Sequence, residues 1–212
     1  MEDITLRALR TLREADFILA EDTRTTSVLL AHHDIHRPLV SYHKFNEHAC
    51  LPNLLARLRQ ADSAALVSDA GTPGISDPGF LLVRACVAEG ISVETLPGPT
   101  ALIPALVSSA LPCDRFAFEG FLPTKKGRRS RMEQIACEER TVVLYESPHR
   151  LTKTLSQLAE LCAEREACVC REISKLHEEH RHGTLADLAQ YYADNPPRGE
   201  IVIVISQLHT TT

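Results

Sequence analysis

Apolar residues along this chain recur with a helical period in some stretches and run without one in others, and the alternation predicts strands followed by helices. Ile4, Ala8, Leu9 and Leu12 share a helical face behind Asp3, which is suited to cap it. Asp16 to Ala20 reads as a strand that ends in Glu21-Asp22-Thr23-Arg24 and gives way to a helix through Val28, Leu29 and Leu30. Leu39 to Tyr42 is the next strand, followed by a helix with Leu51, Leu54, Leu55 and Leu58 at i, i+3, i+4 and i+7. Ala64 to Val67 is a short apolar run of the kind that forms a buried parallel strand, and a helix from Phe80 to Glu89 follows, with Gly90 as its C-cap. Ile91 to Leu96 predicts another strand and Ala101 to Ala110 another helix. The pattern breaks at Leu111-Pro112-Cys113-Asp114, which sets the domains at residues 1–111 and 112–212. In the second, strands are expected at Phe116 to Phe118, Thr141 to Tyr145, Ala167 to Arg171 and Ile201 to Ile205. Its helices run through Met132, Ile135 and Ala136, through Leu151, Leu155, Leu158 and Leu161, and from Leu185 to Tyr192. Gly120 to Pro123 reads as a loop, and Glu172 to His182 is assigned no element. The fold class is α/β.

The candidate chemistry lies where these strands end. Ser68 to Gly79 holds three glycines and two prolines, too long and too punctuated for an ordinary strand-to-helix link. Its glycines let backbone approach a ligand closely, while Asp69, Thr72, Ser76 and Asp77 supply polar groups. Pro97-Gly98-Pro99-Thr100 is a second such loop. Glu21, Asp22 and Arg24 suit either a ligand-binding role or simple helix capping. Lys125, Lys126, Arg128, Arg129 and Arg131 form either a phosphate-binding edge or a solvated helix start.

Composition narrows the partners. With 212 residues, 44% of them hydrophobic, the chain can bury a sizeable core, and a net charge of -5 confines any nucleic-acid contact to a local basic patch. The seven cysteines are odd in number and scattered among apolar neighbours, which reads as reduced, buried thiols of a cytoplasmic protein. No apolar run approaches the ~18 residues of a membrane span. A zinc site is not expected: no C-x-x-C occurs, and His177 and His180 are one residue short of the spacing that puts two histidines on one helix face, although His180 and His182 lie near Cys168 and Cys170 in sequence. Neither G-x-S-x-G, a P-loop nor G-x-G-x-x-G is present, so serine hydrolase, P-loop NTPase and ordinary dinucleotide chemistry lack their signatures.

The strand-end segments carry a more specific likeness. Ala20 to Arg24, Ser68 to Gly79, Leu96 to Pro99, Glu119 to Pro123, Tyr145 to Arg150, Arg171 to Lys175 and Gly199-Glu200 together resemble the ribosomal RNA small subunit methyltransferase I family of the tetrapyrrole methylase superfamily. That resemblance implies two α/β domains with an S-adenosylmethionine cleft between them, commonly a homodimer, and methylation of a cytidine ribose 2′-hydroxyl in 16S rRNA. It also implies that Asp69, Gly71, Thr72, Pro73, Gly98, Pro99, Thr100, Ala101 and Tyr145 bind the cofactor. Glu21, Asp22, Glu146 and Glu172 are the candidate catalytic bases or orienters, and Arg24, Lys125, Lys126, Arg128, Arg129, Arg150, Arg171 and Lys175 the candidate RNA contacts. Family members usually open with an apolar strand, expected inside the sheet, and a Pro-Thr-Pro-Ile-Gly-Asn loop beside the cofactor; the likeness here begins after both. The alternatives are a small-molecule methylase of the same superfamily and a catalytically silent RNA-binding protein. The basic cluster at 125–131 favours RNA over a tetrapyrrole.

Overall fold

The computed structural model describes residues 2–208, and the chain divides into two compact units, one ending at Thr100 and the other beginning at Ala101. The first unit runs α1 (Leu6–Glu14), β1 (Phe17–Ala20), α2 (Thr23–His32), β2 (Leu39–Ser41), α3 (Glu47–Leu58), β3 (Ala64–Val67) and α4 (Phe80–Ala88). Its sheet is parallel with order β2-β1-β3, so each connection is a crossover through a helix. Central β1 is buried on both faces: Phe17 and Leu19 pack with Leu54, Leu55, Leu82 and Cys86, while Ile18 packs with Leu9, Leu12, Leu30 and Ile35. Because the strands are parallel, all three deliver their C-terminal ends, and the polar segments after them, to one edge of the sheet.

The second unit runs α5 (Leu102–Ser108), β4 (Phe116–Phe121), α6 (Arg128–Ala136), β5 (Thr141–Glu146), α7 (Pro148–Cys162), β6 (Glu166–Arg171), β7 (Glu179–Thr184), α8 (Leu185–Asp194) and β8 (Ile201–Ile205). Its mixed sheet has order β4-β5-β8-β6-β7, with only the β4-β5 pair parallel. One face carries Val142, Leu144, Val169, Ile203 and Ile205 against Leu151, Leu155, Leu158 and Leu188, and the other carries Val143, Cys168, Cys170 and Val204 against Ala105 and Leu106. Among the described residues no helix is long and apolar enough to cross a membrane.

Several expectations change. The boundary lies between residues 100 and 101 rather than at 111/112, because α5 packs Ala105 and Leu106 onto the second sheet. Ile91 to Leu96 forms no strand; among the described residues no strand pairs with it, and Ser92 to Thr95 are exposed. Thr5, not Asp3, caps α1, its hydroxyl accepting the Ala8 N–H at 3.1 Å. β4 continues through Gly120 and Phe121, where a loop is expected. β7 has no apolar alternation at all and exists through its ladder to β6. All seven cysteines are free, but only Cys86, Cys168 and Cys170 are buried, and Cys113 and Cys137 are exposed.

Candidate functional site

At the strand ends of the first unit, backbone and carboxylates interlock. The Asp22 N–H donates to Asp69 Oδ1 at 3.2 Å and the Asp69 N–H to Glu21 Oε2 at 3.4 Å, which ties the segment after β1 to the segment after β3. Asp22 also caps α2, accepting the Arg24 N–H at 2.8 Å, and pairs with the Arg24 guanidinium at 2.6 Å. Those Arg24 bonds hold the Asp22 carboxyl down to about 2. Of the two readings of this segment, capping holds for Asp22, while Glu21 and Asp69 have no ion-pair partner among the described residues.

The loop between β3 and α4 is held by its own backbone. Gly71, Gly74 and Gly79 have φ of 68°, 84° and 147°, values that side chains resist. At Gly79 a Cβ would lie 2.9 Å from the Gly74 nitrogen and 3.2 Å from Leu66 Cδ2, so only glycine fits. At Gly71 and Gly98, by contrast, a Cβ would meet no atom within 4 Å: these glycines border open space. Asp77 is the group that sequence reasoning named only as a polar loop residue. Burial, then the charges of Glu21 and Asp69, push its carboxyl up from 3.8 to about 6. Three carboxylates thus gather with no cation within ion-pair distance of any of them among the described residues. That arrangement attracts a positively charged ligand.

The second unit assembles its candidates at one sheet edge. β5 and β6 both run antiparallel to β8, so the ladders place Glu146 and Arg171 opposite Ile201 on either side of it, and Phe121 lies beside Tyr145. Tyr145 packs edge-on against Phe118 and Phe121, with centroids 5.0 and 5.6 Å away. Glu146 is enclosed, with a side chain 1% exposed; its oxygens accept from Thr154 Oγ1 at 2.6 Å and the Ser147 N–H at 2.8 Å, and pair with Arg150 at 2.6 Å. Arg128 donates to Thr154 at 2.7 Å, Gln157 at 3.0 Å and the Pro123 carbonyl at 3.1 Å. Glu172, at a strained φ of 50°, accepts the Glu200 N–H at 2.8 Å and Lys175 Nζ at 3.1 Å, which holds its carboxyl below the usual range. Arg171 is committed to Glu179 through two bonds of 3.0 and 3.1 Å.

This pairing sorts the candidate contacts. Arg128 is a correction to the basic patch: its side chain is 9% exposed and its guanidinium turned inward, fastening α6 to α7. Arg129 pairs with Glu133 and Arg131 with Glu119. Arg150 is held by Glu146 and the Leu122 carbonyl, and Lys175 by Glu172 and Glu200. Lys125 and Lys126 are exposed and, among the described residues, unpaired.

A parallel α/β unit with Gly/Pro strand-end loops, followed by a mixed five-stranded unit, defines the tetrapyrrole (corrin/porphyrin) methylase class, whose family profile matches residues 1–189. The fold is similar to that of a uroporphyrin-III C-methyltransferase from Thermus thermophilus, complexed with S-adenyl homocysteine, at TM-score 0.67 and 20% identity over 97% of this chain and 91% of that one. Sequence similarity is far higher to two proteins named ribosomal RNA small subunit methyltransferase I. The one from Synechocystis is 51% identical over 96% of this chain and 74% of its own length, and the one from Thermotoga maritima 45% over 97% and 93%. The chain belongs to the ribosomal RNA small subunit methyltransferase I family.

Proposed function

We propose that this protein transfers a methyl group from S-adenosylmethionine to small-subunit (16S) ribosomal RNA, at the ribose 2′-hydroxyl of a cytidine. The observation that carries the reading is the 51% identity, across 96% of the chain, to a relative named for rRNA methylation. The first unit's strand ends fit the cofactor chemically. S-adenosylmethionine carries an ammonium and a sulfonium, and Glu21, Asp69 and Asp77 are carboxylates without a cation of their own. The open space at Gly71 and Gly98 suits a ligand lying against backbone. In this proposal Asp69, Gly71, Thr72, Pro73, Gly98, Pro99 and Thr100 hold the cofactor, which supplies an electrophilic methyl when bound.

The chain's own task is to align the 2′-oxygen and accept its proton. Of the four candidate bases, Asp22 is tied to Arg24, Glu146 is enclosed, and Glu172 is engaged by Lys175 and the Glu200 N–H. Glu21 keeps one bond, at 3.4 Å, and is our candidate for the proton acceptor or orienter. Lys125 and Lys126 are our candidates for RNA phosphate contacts, since their charges are not spent on carboxylates. The test is labelled-methyl transfer to undermethylated small ribosomal subunits, with the modified nucleotide mapped by nuclease digestion. Label at one cytidine ribose is the expected result. No saturable binding of S-adenosylmethionine by calorimetry would support the silent RNA-binding alternative, and label in a tetrapyrrole instead would support the small-molecule one.

A further inference from the structure

His177 lies in a turn, but Cys168 and Cys170 are on β6 and His180 is on β7, so helix-face spacing does not govern whether these three can share a metal. On β6, Cys168 and Cys170 are two apart and so project from the same face, and the β6-β7 ladder sets His180 directly opposite Cys170. The two sulfurs are 3.7 Å apart, and ligand atoms of Cys168, Cys170 and His180 all lie within 4.8 Å of one another. Tetrahedral zinc with Zn–S of about 2.3 Å and Zn–N of about 2.05 Å would hold its sulfurs about 3.8 Å apart, and each sulfur about 3.6 Å from the nitrogen. The cluster is therefore near the required size before any metal enters.

Two independent features point to a ligand there. His180 Nδ1 is buried with no hydrogen-bond partner among the described residues, a costly state for a ring nitrogen. Its other nitrogen, Nε2, is 2.7 Å from Glu178 Oε1. A carboxylate on one ring nitrogen fixes the proton there and leaves the other as a lone pair, the arrangement that surrounds metal-ligating histidines. Beyond each other the thiols meet only backbone among the described residues: Cys170 Sγ lies 3.7 Å from the Ala105 carbonyl, and Cys168 Sγ faces the Arg181 backbone across the ladder.

We propose that Cys168, Cys170 and His180 bind zinc, with Glu178 orienting the histidine and the fourth position open to water at the outer edge of β7. Binding replaces two S–H bonds with two Zn–S bonds and one Zn–N bond, and releases two protons to solvent. Two thiolates then balance the charge of the divalent ion, so its burial leaves no net charge uncompensated. His180 is 23% exposed, which gives the metal a route in. The consequence for the fold is a clasp on β7, an edge strand whose sequence Glu-His-Arg-His-Gly-Thr offers no apolar side chain to hold it. The clasp would also steady Glu179, the partner of Arg171.

The full chain, reduced and freed of metal with a chelator, is titrated anaerobically with cobalt(II) and then zinc. The expected result is a thiolate-to-cobalt charge-transfer band that saturates at one equivalent, disappears on adding zinc, and is accompanied by a higher Tm with zinc. Cys170→Ser and His180→Ala should each weaken binding at least about ten-fold, and Glu178→Gln about ten-fold through the histidine alone. Cys113→Ser, at an exposed cysteine, should leave it unchanged. Wild-type protein without the band, a band that survives in the Cys168→Ser/Cys170→Ser double variant with its circular dichroism intact, or a Cys168–Cys170 disulfide as the stable state in air-free protein overturns the proposal.

Discussion

The two units bring acidic residues to the ends of their strands in opposite electrostatic states. In the first, Glu21, Asp69 and Asp77 lie near one another without a cation at ion-pair distance, and burial, then the charges of Glu21 and Asp69, raise the Asp77 carboxyl to about 6. In the second, Glu146 is enclosed by Arg150, Thr154 and a backbone N–H, and Glu172, at the surface, is engaged by Lys175 and a backbone N–H. A paired and buried charge is part of the scaffold, whereas an unpaired one remains available to a ligand. The difference separates residues that build the molecule from residues left free to act.

Breaking the scaffold side should have the largest effect. Glu146→Ala leaves Arg128 and Arg150 facing each other without their shared anion, and we expect a loss of about 3–5 kcal/mol in denaturant unfolding of the second unit. A loss below about 1 kcal/mol would erase the distinction drawn between the two units. Next comes Gly79→Ala, which forces a Cβ into a φ of 147° and to 2.9 Å from the Gly74 nitrogen; about 1–3 kcal/mol of stability should go, read from the shift in thermal unfolding.

On the ligand side the expected balance reverses. Asp69→Ala gives up the Asp22 N–H bond, a stability cost of about 1 kcal/mol, yet cofactor affinity by calorimetry should fall about ten-fold. Gly98→Val should weaken cofactor binding with the fold intact, because its Cβ would point into open space. If neither variant changes affinity, the strand-end loops are not the cofactor site. The smallest effect is a pH dependence. Asp77 has a folded-state pKa of about 6, above its ordinary 3.8, so its contribution favours folding fully below pH 3.8 and is lost as pH rises through 6. Asp77→Asn should therefore flatten the stability profile between those values and be the more stable protein at neutral pH. A profile unchanged between wild type and variant would show that the three carboxylates do not interact.

Much of this was legible in the residues. The strands Phe17–Ala20 and Ala64–Val67, the helices between them and the glycine-rich strand-end loop are written in apolar runs and turn residues, because a doubly covered strand and a tight loop each demand particular residue types locally. The class followed from the same loops. What did not show were properties of pairs. Ile91 to Leu96 has strand composition but no partner, and β7 has a partner but no strand composition. Strand formation depends on a neighbouring backbone that periodicity does not report.

The same limit applies to the chemistry. The sequence by itself determined the α/β order, the Gly/Pro loops and the family, since these rest on local propensity and on residues in fixed linear order. Only the tertiary structure decided that Arg128 turns inward, that Asp22, Glu146 and Glu172 are engaged while the Asp77 carboxyl is raised to about 6, and that Cys168, Cys170 and His180 face one another across a ladder. Charge pairing, burial and ligand geometry arise from distances between residues far apart in the chain, and those distances exist only after the sheets have formed.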